Sequence, residues 1–94
     1  MVTRVRVEFI GQLRELTGAK EITIAVEGRA TLDSAMKTLT DKFGGALRER
    51  IFEEGKLSDE LLLILNGRSV RPADLTSVDL KDGDNIVLAP ESAP

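Results

Sequence analysis

The order of the apolar segments predicts an α+β protein: a mixed sheet of four to five strands with one main helix across one face. Three observations carry this. Apolar residues alternate with polar ones from Arg4 to Ile10 and again from Glu21 to Val26. One stripe at spacings of three and four runs from Leu32 to Phe43. A continuous apolar run, Leu61-Leu62-Leu63-Ile64-Leu65, stops at Asn66-Gly67.

Each element follows from its residues. In the first alternation Val5, Val7 and Phe9 point one way and Arg4, Arg6 and Glu8 the other, which describes a half-buried strand. Gly11 to Lys20 is a connection with its own apolar teeth, Leu13 and Leu16, closed by Thr17-Gly18. Ile22, Ile24 and Val26 form the inner face of a second strand, so the first two strands make a hairpin with a long turn. Thr31 is placed to cap the helix, and Asp33 suits the positive end of its dipole. Leu32, Ala35, Met36, Leu39 and Phe43 form the buried stripe, with Lys37, Thr38, Asp41 and Lys42 mostly opposite. Gly44-Gly45 ends the helix in the left-handed conformation that glycine takes at little cost.

Ala46 to Ser58 is charged and loop-like, with room for a short helical turn around Leu47 to Phe52. The Leu61–Leu65 run is too short for a core helix and reads as an interior strand ending in a tight turn. Arg68 to Arg71 is a short return strand stopped by Pro72, and Leu75, Val78 and Leu80 anchor a compact loop. Lys81-Asp82-Gly83-Asp84 is a turn into a last strand, Asn85 to Ala89. One helix of this length covers one sheet face, which is the β-grasp (ubiquitin-like) arrangement. Residues 1–90 form the single domain and 91–94 a flexible tail.

Composition narrows the function. The 94 residues carry a net charge of −3 with both signs mixed, and only three of them are aromatic, all Phe. Nucleic acid calls for a basic face and stacking aromatics, so it is not an expected partner. The absence of cysteine excludes a disulfide framework, a thiolate nucleophile and a thiolate metal site. The absence of histidine removes the commonest general base and metal ligand. No apolar run approaches the ~20 residues of a membrane span, and no leader-like stretch precedes the first strand. The expectation is a soluble, cytoplasmic carrier or binding protein that is no enzyme on its own and holds no cofactor or metal. Asp82, Asp84 and Glu91 read as turn chemistry and solubility, not a cation site.

Three stretches resemble the MoaD/ThiS sulfur-carrier family, and most closely its molybdopterin-synthase small subunits. They are Phe9-Ile10-Gly11-Gln12-Leu13-Arg14-Glu15-Leu16-Thr17-Gly18, Leu65-Asn66-Gly67-Arg68, and Leu80-Lys81-Asp82-Gly83-Asp84-Asn85-Ile86-Val87-Leu88-Ala89-Pro90. The resemblance implies a role in molybdenum- or tungsten-cofactor biosynthesis. In such carriers a partner adenylates the chain-end carboxylate, and sulfur then replaces AMP to give a thiocarboxylate. The implied partners are a larger molybdopterin-synthase subunit and an E1-like adenylating enzyme.

The implied partner-binding residues are Arg14, Leu63, Leu65, Val87, Ala89, Pro90, Glu91, Ser92, Ala93 and Pro94. The carboxylate of Pro94 stands where the family has a Gly-Gly end. Proline fixes its own φ and pushes Ala93 toward extended geometry, whereas glycine bends freely. The alternative is therefore a non-conjugating ubiquitin-like module that keeps the partner face without the thiocarboxylate tail. Outside the resemblance, Arg14-Glu15 also reads as a solvated loop pair, and Arg4 and Arg6 as a solvated strand face. The strands Leu61 to Leu65 and Ile86 to Ala89 are apolar on both faces. One set must face away from the helix. Either the loop of Leu75, Val78 and Leu80 covers that set, or it is an exposed patch for a partner.

Overall fold

A computed structural model describes residues 2–54, 56–58, 61–71 and 74–90. The elements in chain order are β1 (Val2–Phe9), α1 (Gln12–Thr17), β2 (Glu21–Glu27), α2 (Leu32–Phe43), α3 (Gly45–Ile51), β3 (Phe52–Glu53), β4 (Lys56–Leu57), β5 (Leu61–Leu65), β6 (Arg68–Val70) and β7 (Asn85–Pro90). The main sheet has the order β2-β1-β7-β5-β6, and β3 pairs with β4 in a separate ribbon. β1 and β7 run parallel, while the pairs β1–β2, β5–β7 and β5–β6 are antiparallel. With α2 across one face, this is the β-grasp arrangement, and the last strand occupies the sheet centre.

The alternation of β1 is realised in full: Val5, Val7 and Phe9 are completely buried. They meet Leu32, Ala35, Met36 and Leu39 of α2, which are equally inaccessible, in one core cluster. Ile86 and Leu88 of β7 and Leu61 and Leu63 of β5 complete the sheet side of that core. Phe43 closes one end, its ring set edge-on to Phe9 at 5.8 Å between centroids.

The start of α2 is secured from two directions. Thr31 Oγ1 accepts from the Ser34 amide (3.1 Å) while Ser34 Oγ accepts from the Thr31 amide (2.8 Å), a reciprocal capping box. The Leu32 and Asp33 amides donate to the carbonyls of Val78 (3.1 Å) and Leu75 (3.2 Å). The loop before β7 thus supplies acceptors that a helix N-terminus otherwise lacks. Leu75 and Leu80 join the helix-side core and Val78 packs against it, so these three anchors do not cover the other sheet face.

Three local expectations change. The first connection holds the short helix α1, with Leu13 buried but Leu16 exposed, so only one of the two apolar teeth bites. Gly44 does end α2, but at φ 88°, ψ −162°, a glycine-only region distinct from the left-handed helix, and Gly45 already opens α3. In the charged segment after it, the short helical turn expected around Leu47 to Phe52 is present and longer, as α3 from Gly45 to Ile51 with Leu47 and Ile51 buried one turn apart, and a ribbon stands where the rest was read as loop-like. Pro72, the expected strand stop, and the tail Glu91, Ser92, Ala93 and Pro94 lie outside the described residues.

Leu39→Ala should lower unfolding stability by about 2–5 kcal/mol, as for other fully buried leucines. Thr31→Ala should cost about 1 kcal/mol through the lost cap. Urea unfolding monitored by circular dichroism measures both.

Candidate functional site

Strand pairing decides which residues face away from α2. Leu63 lies opposite Leu88 and Leu65 opposite Ile86, all on the core side, and Leu63 is only 1% exposed. Leu62 lies opposite Ala89, and Ile64 opposite Val87. Because side chains alternate along a strand, these four share the outer face. All four are half-buried, shaded by their neighbours without being enclosed.

Leu63 and Leu65, expected at the partner face, are therefore core residues, Leu65 packing against the buried cluster. Leu62 and Ile64 take their place beside Val87 and Ala89. The expected set mixed two parities that no single sheet face can present. A signal for Leu62 and Ile64 existed in the need to match the parity of β5 to that of β7, but a run of five aliphatics does not reveal which parity is inner.

The patch has direction. At its far end β1 contributes Arg6, paired with Asn85, and Glu8, paired with Val87. Arg6 also meets Glu21 at 3.4 Å across β2, with both side chains more than half exposed, so the pair is a solvated rim contact. At the near end Ile10 is 37% exposed, and its amide extends the ladder to the Leu88 carbonyl (2.9 Å). Following core-facing Phe9, Ile10 continues the outer row toward Ala89. The apolar half of the outer face thus lies where the described chain leaves the sheet at Pro90.

Two residues shape that exit. Gly11 adopts φ 62°, ψ −134°, and a β-carbon there would sit 3.6 Å from the Pro90 ring. The positive φ is what requires glycine, since it lets the chain turn from β1 into α1 across Pro90. Arg14, exposed on α1, donates from Nε to the Phe9 carbonyl (2.7 Å), which ties its side chain to the end of β1. Arg14 is thereby brought beside the strand pair Phe9–Leu88, at the same edge of the molecule as Pro90.

The acidic turn before β7 is fully engaged. Asp82 Oδ1 accepts the Arg4 amide (2.8 Å), Asp84 Oδ2 accepts the Lys81 amide (2.7 Å), and Asp84 Oδ1 accepts Asn66 Nδ2 (3.0 Å). These carboxylates hold turns together; among the described residues no group of three His, Cys, Asp or Glu side chains is placed to hold a metal. A hollow of about 500 Å³ opens elsewhere, on the α2–α3 side, lined by Lys37, Thr40, Asp41, Arg48, Glu49 and Phe52. Three of its rim charges are already paired, Arg48 with Asp41 at 3.2 Å and Lys37 with Asp33 at 3.0 Å. No described helix is long and apolar enough to cross a membrane.

Comparison with known proteins agrees with this geometry. A family model described as "ThiS family" matches residues 7–90. Small archaeal modifier protein 3 of Haloferax volcanii is 31% identical over 85 residues, covering 90% of this chain and 91% of the relative. A solved structure from Pyrococcus furiosus, described as a putative molybdopterin converting factor, subunit 1, is 26% identical with a TM-score of 0.76, covering 94% of this chain and 97% of that one. A chain in the BexX/CysO complex of Amycolatopsis orientalis is also 26% identical with a TM-score of 0.76, covering 96% and 98%.

Leu62→Lys should shift stability by about 1 kcal/mol or less, because its side chain reaches water. Leu63→Lys should cost several kcal/mol or prevent folding, because it buries an unpaired ammonium. Thermal unfolding of the two variants checks the parity of the face.

Proposed function

The chain belongs to the ThiS family of ubiquitin-like sulfur carriers, and from that premise we propose that it is a MoaD-like carrier of molybdopterin biosynthesis. Residues 91–94 serve as the tail of a domain spanning 1–90. An E1-like enzyme adenylates the chain-end carboxylate, with pyrophosphate leaving. Sulfur then displaces AMP, and the resulting thiocarboxylate is presented to a larger synthase subunit that gives the sulfur to a pterin precursor. The cytoplasm is the compartment in which these partners would be met.

One observation carries the reading. The last strand is central, hydrogen-bonded on both sides, and ends at the apolar patch of Ile10, Leu62, Ile64, Val87 and Ala89. Such a face seals against a partner while the chain end beyond Pro90 reaches into the partner's site. The missing Cys and His are no handicap, because the reacting group is a carboxylate and the chemistry belongs to the partner. The likeness to the Pyrococcus furiosus protein supports the synthase pathway, and the likeness to a chain crystallised as a BexX/CysO complex supports docking on a partner protein. The likeness to small archaeal modifier protein 3 favours a second reading, in which the activated carboxylate is passed to a protein.

With ATP and the adenylating enzyme, the chain should first gain AMP and then, with a sulfur donor, the mass of an oxygen-to-sulfur exchange. Intact-protein mass spectrometry reads both, run in parallel on the chain as printed and on one carrying Gly-Gly in place of Ala93-Pro94. Ile64→Lys, folded as judged by circular dichroism, should abolish either modification. Failure of both chains to react would refute the carrier reading.

A further inference from the structure

The turn between β5 and β6 contains the pair Asn66-Gly67, at φ 49° and 86°. Such a turn needs positive φ twice, which explains the residue pair but not the bonding around it. Asn66 Nδ2 donates to Asp84 Oδ1 (3.0 Å), and Asn66 Oδ1 accepts the Asn85 amide (2.9 Å). The Asn66 amide in turn donates to the Asn85 carbonyl (2.8 Å). The side-chain amide of one exposed residue therefore clips the β5–β6 turn onto the first residues of β7. Asp84 stands at the centre of this clip: its carbonyl receives the Arg6 amide (2.9 Å) at the start of the β1–β7 ladder, and its Oδ2 receives the Lys81 amide.

We propose that Asn66 is a hydrolysable latch on β7. An asparagine followed by glycine is open to attack by the next backbone nitrogen, because Gly67 has no side chain to shield it. The Gly67 nitrogen loses its proton and bonds to Asn66 Cγ; the Cγ–Nδ2 bond breaks, and ammonia leaves with that proton. Water then opens the five-membered imide at either carbonyl, leaving aspartate or isoaspartate at this position. The clip opposes the first step, since both ends of the side-chain amide are held and it must come free before its carbon can turn toward Gly67. Once hydrolysed, the new carboxylate has no proton to donate to Asp84 Oδ1. It sets a second negative charge within hydrogen-bond distance of the first. The latch therefore resists hydrolysis while closed and does not close again once hydrolysed. An aspartate product keeps the acceptor for Asn85 but loses Asp84; an isoaspartate also lengthens the turn backbone.

The whole chain is held at mildly alkaline pH, folded or in urea, and the peptide spanning Asn66-Gly67 is followed by mass and by isoaspartate content. Deamidation at Asn66 should be about tenfold or more slower in the folded chain, since two hydrogen bonds must open first. Asp84→Ser, folded as judged by circular dichroism, should react several-fold faster than the parent chain. Equal rates in the folded and unfolded chains would overturn the protective clip. Asn66→Asp should raise amide hydrogen exchange at Lys81 and Arg6, whose acceptors belong to Asp84, several-fold while leaving the β2 ladder unchanged. Unchanged exchange at both residues would overturn the coupling to β7.

Discussion

The pairing of β7 between β1 and β5 is the constraint on which the rest of the structure depends. The parallel register Val7–Ile86 and Phe9–Leu88 joins the two ends of the chain in the middle of the sheet. It puts Ile86 and Leu88 under α2 with no exposure, and by the same alternation turns Val87 and Ala89 outward. A central strand has both hydrogen-bonding edges occupied, so it is held far more firmly than a terminal segment lying at a sheet edge. The outer row of β7 thereby ends with the strand at Pro90, where the described chain leaves the sheet.

The turns around β7 serve that same placement. The loop holding Leu75 and Val78 gives its carbonyls to the first amides of α2, which ties the approach to β7 to the helix. Asp82 and Asp84 join the strand's beginning to β1 and to the β5–β6 turn. At its far end Gly11, at φ 62°, turns the chain from β1 into α1 beside the Pro90 ring. Carboxylates that look in isolation like a cation site are consumed as acceptors for backbone and amide groups.

Much of the fold was legible because local rules and tertiary structure agree. The alternation in β1 and β2, the stripe and cap of α2, and the Asn66-Gly67 turn each have one physical solution, and the element order then leaves few topologies. The outer face was half legible for an equally physical reason. Val87 and Ala89 follow from the family resemblance, but Leu61 to Leu65 is apolar at both parities, so only its register against β7 tells inner from outer. That register, Ile64 with Val87, places Leu62 and Ile64 outside and withdraws Leu63 and Leu65 into the core. Helix α1 was hidden and α3 showed only as a short turn because each is short and buries only one or two residues, Leu13 in α1 and Leu47 and Ile51 in α3, too few to print a periodic stripe.

The central claim is that the outer face at the end of β7 is where partners dock. Methyl-resolved NMR of the labelled chain, titrated with an E1-like adenylating enzyme and ATP, tests it most directly. The methyl signals of Ile10, Leu62, Ile64 and Val87 should broaden or shift together, while that of Thr38 on α2 stays in place. Movement at Thr38 and around the α2–α3 hollow, with those four signals unmoved, would contradict the account.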